Sequence, residues 1–146
     1  MKNSSLRERT LLLVEDDYDI RTMLVMLLDM EGYRVVRSAN GREALGELLG
    51  GLHPDLILLD LMMPVMSGWQ LLDIMERDPV LAAIPVIVIS GDGRSAAQHV
   101  ADRVSCFLKK PLDLDELLSK IEEFALDAPQ PDEEAAAVHE QRSIGS

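Results

Sequence analysis

The stretch Asp55-Leu56-Ile57-Leu58-Leu59-Asp60-Leu61-Met62-Met63-Pro64 constrains this chain more than any other. Its four consecutive apolar residues, Leu56 to Leu59, lie between Pro54 and Pro64. They are too few for a buried helix and read as a strand covered on both faces. Asp60 closes the run. A carboxylate there either caps the next loop or forms the working end of the protein, because Asp is rarely buried without a partner. Taken alone, the stretch leaves both readings open.

The same pattern recurs along the chain. Thr10-Leu11-Leu12-Leu13-Val14 is a strand that stops at Glu15-Asp16-Asp17. From Asp19 to Glu31, Ile20, Met23, Leu24, Leu27 and Leu28 repeat at helical spacing, and Gly32 ends the helix. Valine-rich Tyr33 to Ala39 predicts a second strand, and Asn40 caps a helix that carries Ala44, Leu45, Leu48 and Leu49 to Gly50-Gly51. After Asp60, a third helix runs from Trp69 to Arg77 and is broken at Asp78-Pro79. Pro85-Val86-Ile87-Val88-Ile89 is a β-branched strand ending at Ser90, before the loop Gly91-Asp92-Gly93. A weak helix is expected over Arg94 to Arg103, then a short strand over Ser105 to Lys109 running into Lys110-Pro111. The last helix opens with Asp113 and Glu116 as N-cap and N3, and Leu114, Leu117, Leu118, Ile121, Phe124 and Ala125 share one face.

Strands alternating with helices imply right-handed crossovers, a parallel sheet and helices on both faces. The expectation is a doubly wound α/β fold of about five strands and five helices. A chain of 146 residues suits one such domain. Residues 9–127 are assigned to it, residues 1–8 to a flexible leader, and 128–146 to an acidic, mostly disordered tail or linker with a short helix possible at Glu133 to Val138.

A net charge of −12 opposes phosphate backbones and anionic lipid, so no direct nucleic-acid or membrane partner is expected. No apolar run approaches bilayer length and no signal peptide is evident, which makes the cytoplasm the expected location. Cys106 is the single cysteine and reads as a buried structural thiol in a reducing compartment. His53, His99 and His139 read as loop or surface residues, and Trp69 as partly exposed.

In an open parallel sheet, ligands sit beyond the carboxyl ends of the strands. Those ends carry Glu15 and Asp16, Asp60, Ser90 and Lys110. Clustered carboxylates need a cation, and hard oxygen ligands suit Mg2+. A lysine and a serine hydroxyl can receive an added phosphoryl group. A carboxylate beside the metal can attack phosphorus, and Asp60, on a central strand, is the best nucleophile among these groups.

Val14-Glu15-Asp16-Asp17, Asp60-Leu61-Met62-Met63-Pro64 with Gly68, Ser90-Gly91 and Lys110-Pro111 resemble the motifs of receiver domains of two-component response regulators, over about Arg9 to Asp127. The resemblance implies a flavodoxin-like strand order 2-1-3-4-5. It also implies that Asp60 accepts a phosphoryl group from a sensor histidine kinase or phosphotransfer protein. Mg2+ would be held by Asp16, Asp60 and the Met62 carbonyl, with Glu15 acting through a metal-bound water. Lys110 would pair with the phosphoryl oxygens, Ser90 would swing toward them, and Phe107 would be the switch aromatic that follows. The readout surface would be the fourth helix, fifth strand and fifth helix. The plain alternative for Phe107 is a permanently buried core aromatic.

Two features depart from the usual receiver pattern. The segment before Phe107, Val100-Ala101-Asp102-Arg103-Val104-Ser105-Cys106, lacks the Gly-Ala pair common there. The first helix also carries Met23, Met26 and Met30 along one edge, read chiefly as the margin of the core and alternatively as a docking edge. Competing classes fit less well. A phosphatase of the haloacid dehalogenase type would need an acid at position 62, and a flavodoxin-type flavin module would need a Ser/Thr/Gly-rich loop where Glu15-Asp16-Asp17 stands. The alternative of a receiver cut from a larger regulator or hybrid kinase, with the acidic tail as linker, is also compatible with the sequence.

Overall fold

A computed structural model describes residues 8–91 and 103–127. Five strands, β1 (Thr10–Val14), β2 (Arg34–Ser38), β3 (Leu56–Asp60), β4 (Val86–Ser90) and β5 (Cys106–Lys109), form one sheet in the order β2-β1-β3-β4-β5. All four pairings are parallel. The expected doubly wound order is therefore the observed one. β3 and β4 are buried at every residue because helices cover both of their faces.

Side-chain alternation divides the apolar runs between two core layers. Leu12, Val14, Ile57, Leu59, Val86 and Val88 face α2 (Gly41–Leu49), α3 (Gly68–Glu76) and the short α4 (Pro79–Ala82). Leu11, Leu13, Leu56, Leu58, Ile87 and Ile89 face α1 (Tyr18–Met30) and α5 (Leu114–Asp127). Among the described residues, no helix is long and apolar enough to cross a membrane.

Caps set where the helices begin. Asp17, Asn40 and Ser67 each accept a backbone N–H from the residue three positions on, and Ser67 with Gln70 completes a capping box. Asp113 Oδ1 accepts the Glu116 N–H at 3.2 Å, as the sequence predicts for the last helix.

Several expectations are corrected. Asp78-Pro79 does end α3, but Asp78 also caps α4 by accepting from Val80 and Leu81, with Pro79 in the first turn, where its missing N–H costs nothing. Met23, Met26 and Met30 are exposed, not the margin of the core: Leu24 and Leu28 take the buried stripe of α1, and the methionines are rotated out of it. Leu49 is likewise exposed at the end of α2. Cys106 is half-buried, and burial pushes its thiol up, away from thiolate chemistry. His53 is exposed and Trp69 half-buried, as expected. The leader, the tail with its helix at 133–138, most of the helix expected over 94–103, Asp92, His99 and His139 lie outside the described residues.

Candidate active site at the C-terminal sheet edge

The carboxyl ends of β1, β3 and β5 bring three acids and one cation together. β1 stops at Val14, and the next residues, Glu15 and Asp16, enter the turn before Asp17 caps α1. The Glu15 N–H donates to Ser38 O at 3.1 Å, which extends the β1–β2 ladder into the turn. Glu15 is buried and Asp16 exposed. Asp60, the last residue of β3, is only 4% exposed. One carboxylate oxygen from each of Glu15, Asp16 and Asp60 lies within 4.8 Å of the others.

Lys110, just beyond β5, closes the group. Its Nζ is 3.1 Å from Glu15 Oε1 and 3.3 Å from Asp60 Oδ2. Its backbone N–H donates to Ser90 O at 2.9 Å, and the Lys110-Pro111 peptide bond is cis. Burial, and then the Glu15 carboxylate, push Asp60 up to about 6 against the pull of Lys110 and of the Met62 N–H. Burial opposes charge on Lys110 as well, yet Asp60 and Glu15 together outweigh it and hold the ammonium above the ordinary lysine range.

Each predicted site residue has a definite place. Asp60 Oδ1 accepts the Met62 N–H at 3.1 Å, while the Met62 side chain is exposed. Ser90 is fully buried at the end of β4, and Asp60 pairs in register with Ile89, its predecessor. Phe107 pairs with Val88 and is half-buried against the α2–α3 layer, so it is neither a surface aromatic nor a fully enclosed one.

The loop after Asp60 is tightly built. Pro64 O accepts the Met66 N–H at 2.8 Å across Val65, whose φ is +70°. A Cβ on Gly68 would stand 2.5 Å from Asp60 O, so only glycine lets the start of α3 approach the end of β3. Gly41 meets the same loop, donating to Met66 O at 2.9 Å.

Sequence reasoning missed two contributors. Arg21 Nη1, from the first turns of α1, donates to Glu15 O at 2.8 Å and Asp16 O at 3.2 Å. Its helical position gave no sign of a contact back into the turn. Arg103 Nη2 donates to Asp73 Oδ1 at 2.6 Å and its guanidinium forms an ion pair with Glu76 at 2.8 Å, tying the approach to β5 to α3. Only long-range packing reveals that pair.

Hard carboxylate oxygens, one exposed and two buried beside a single ammonium, fit a divalent cation with open positions for water, of the Mg2+ type. They do not fit a zinc centre, which would draw on His or Cys.

Comparison with known proteins gives the chain's family. The family model of the response regulator receiver domain matches residues 11–122. The phosphate regulon transcriptional regulatory protein PhoB of Pseudomonas aeruginosa is 31% identical over 77% of this chain and 50% of its own length. The CAI-1 autoinducer sensor kinase/phosphatase CqsS of Vibrio cholerae is 32% identical over 80% of this chain and 17% of its own. The crystal structure of a signal receiver domain from a signal transduction histidine kinase of Syntrophus aciditrophicus superposes with a TM-score of 0.73 at 29% identity, covering 84% of this chain and 96% of the other. This chain spans about half the length of the first curated relatives it matches, 46% to 50%. With a five-stranded parallel sheet in the order shared with its structural neighbours and a family model matched over residues 11–122, the chain belongs to the response regulator receiver domain family of two-component systems.

Proposed function

We propose that the domain is a phosphorylation switch in which Asp60 accepts a phosphoryl group from a phosphohistidine on a sensor histidine kinase or phosphotransfer protein. The observation that carries this reading is the gathering of Glu15, Asp16 and Asp60 within 4.8 Å, with Lys110 against two of them. An Asp60 oxygen attacks phosphorus as the P–N bond to the donor imidazole breaks, leaving an acyl phosphate on Asp60. Mg2+ held by Asp16, Asp60 and the Met62 carbonyl, with Glu15 acting through water, would offset the charge of the carboxylates and the incoming phosphoryl oxygens.

The chain's own residues divide the remaining work. Lys110 turns from carboxylate partner to phosphoryl partner, and the Ser90 hydroxyl moves to donate to the new oxygens. Phe107, half-buried beside β4, follows Ser90 and alters the surface around β5 and α5. The output is protein contact, with no direct binding of nucleic acid or membrane by this domain, in keeping with a charge of −10 once a tail of −3 (residues 128–146) and a leader of +1 (residues 1–8) are removed from −12. The switch works in the cytoplasm and is not an enzyme with an external substrate, although it supports its own phosphorylation and loss of phosphate.

The exposed methionines of α1 support a partner on that side. Met23 lines an apolar groove of about 540 Å³ with Ile20, Pro111, Leu112 and Leu114, and Lys110 stands at its wall. A donor protein seated there would bring its phosphohistidine to Asp60. A second reading, a receiver working within a longer regulator or hybrid kinase, is favoured by the short share of PhoB and CqsS that aligns. A transcript read through both ends distinguishes the two.

Incubation with a small-molecule phosphodonor and Mg2+ tests the reading. One acid-labile phosphate is expected, lost with chelator and absent in Asp60→Asn. Persistent labelling of Asp60→Asn would overturn the assignment.

A further inference from the structure

The turn that carries Glu15 and Asp16 is three residues long between the end of β1 and the start of α1. A segment that short has no ladder of its own, so its shape depends on a few contacts. The Glu15 N–H reaches Ser38 O at 3.1 Å, and the Asp17 N–H reaches Glu15 Oε2 at 3.1 Å. On the acceptor side, the Glu15 and Asp16 carbonyls both converge on one nitrogen, Arg21 Nη1, at 2.8 and 3.2 Å. Two successive carbonyls aimed at a single point repel each other unless a cationic donor sits there. Arg21 is anchored in α1, half-buried, with its Cζ 5.6 Å from the Tyr18 ring centroid.

Asp16 has the most to lose from a loosened turn. Its side chain is exposed, yet its carboxylate lies within 4.8 Å of buried Glu15 and Asp60. Only the path of the backbone delivers it there.

We propose that Arg21 is a positioning residue of the acidic centre: by gripping the carbonyls of Glu15 and Asp16 from α1, it holds the turn in the shape that brings both carboxylates alongside Asp60. This rests on the reading of that centre as a Mg2+ site. Positioning and plain electrostatics predict opposite signs. Removing a cation beside three carboxylates should by charge alone tighten binding of Mg2+. Loss of a ligand-orienting contact should weaken it, by about tenfold on the scale of outer contacts at metal sites.

Calorimetric titration of the full chain with MgCl2 alone, at constant ionic strength, decides the matter. Wild type, Asp16→Asn and Arg21→Met are compared, the last because methionine keeps much of the stem packing and removes every donor. Circular dichroism checks that each protein is folded under the titration conditions. Wild-type binding that Asp16→Asn abolishes and Arg21→Met weakens about tenfold supports the inference. Equal or tighter binding by folded Arg21→Met overturns it and leaves the Mg2+ reading intact. Failure of the wild type to bind, or indifference to Asp16→Asn, overturns the Mg2+ reading itself. If Arg21→Met does not fold, Arg21→Lys replaces it, since an ammonium keeps the charge but lacks the fork. Roughly threefold weakening is then expected, and equal or tighter binding again overturns the role.

Discussion

Lys110 Nζ lies 3.3 Å from Asp60 Oδ2, joining residues 50 positions apart at the edge where β3 and β5 end. The same nitrogen serves Glu15 at 3.1 Å, so one cation offsets two buried carboxylates. For Lys110→Ala, a folded domain is expected, because both core layers are untouched. On the proposed switch the phosphoryl group would lose its ammonium partner, so phosphorylation should produce well under half of the wild-type amide shift changes at residues 104–109. Wild-type shift changes in that variant would remove Lys110 from the switch.

Asp60 makes stability depend on pH in a definite direction. Its carboxyl is raised from 3.8 to about 6 in the folded protein, chiefly by burial and then by Glu15. The folded state therefore holds the proton more tightly than the unfolded chain does. The resulting stabilisation is fully present below about pH 4 and lost as pH rises through about 6. Asp60→Asn carries no such charge. In metal-free buffer it should exceed the wild type in stability by about 2 kcal/mol at pH 7.5, with the gap closing toward pH 4. Urea unfolding at both pH values checks this, and a gap that widens on acidification would contradict the assignment.

Val65 bears a local strain that can be relieved. Its φ of +70° is rare for a β-branched residue, and the Pro64 to Met66 hydrogen bond closes a three-residue turn around it. The side chain is 70% exposed, so little apolar burial is lost on replacement. Val65→Asn should stabilise the domain by about 1 kcal/mol, because asparagine tolerates this conformation better. A lower urea midpoint for Val65→Asn would mean that valine is not strained there.

How much was legible beforehand depended on the range of the cause. β3 and β4 were legible because the apolar runs Leu56 to Leu59 and Val86 to Ile89 are too short for buried helices and read as strands covered on both faces, and Asp60, Ser90 and Lys110 stood out as the polar residues that halt the apolar runs. The caps Asn40 and Asp113 were legible because their partners lie three residues away. Asp78-Pro79 was legible only as a break, although the same pair starts a new single-turn helix when a residue of that turn, Leu81, can bury itself. The methionines of α1 misled because apolar spacing counts residues without telling which edge of the stripe meets the sheet. Arg21 and Arg103 were invisible, since their acceptors are set by tertiary packing and, for Arg21, belong to the backbone.

The lifetime of the phosphorylated state should turn on Met62. Hydrolysis of an aspartyl phosphate needs a water in line with phosphorus, and the receiver resemblance implies that the residues two beyond Asp60 and two beyond Ser90, Met62 and Asp92, would flank that approach. The Met62 amide is fixed by its bond to Asp60 Oδ1 at 3.1 Å, which anchors the side chain's origin beside the acceptor, while the thioether stem is 62% exposed. A thioether accepts hydrogen bonds only weakly and cannot orient the water, whereas an amide could hold it. Asp92, the other residue expected to flank the approach, lies outside the described residues. Met62→Asn should therefore speed loss of phosphate by about tenfold, equivalent to roughly 1.4 kcal/mol of barrier. Following phosphate release at fixed Mg2+ from both proteins measures this directly, and an unchanged or slower rate in Met62→Asn would show that Met62 does not limit the lifetime.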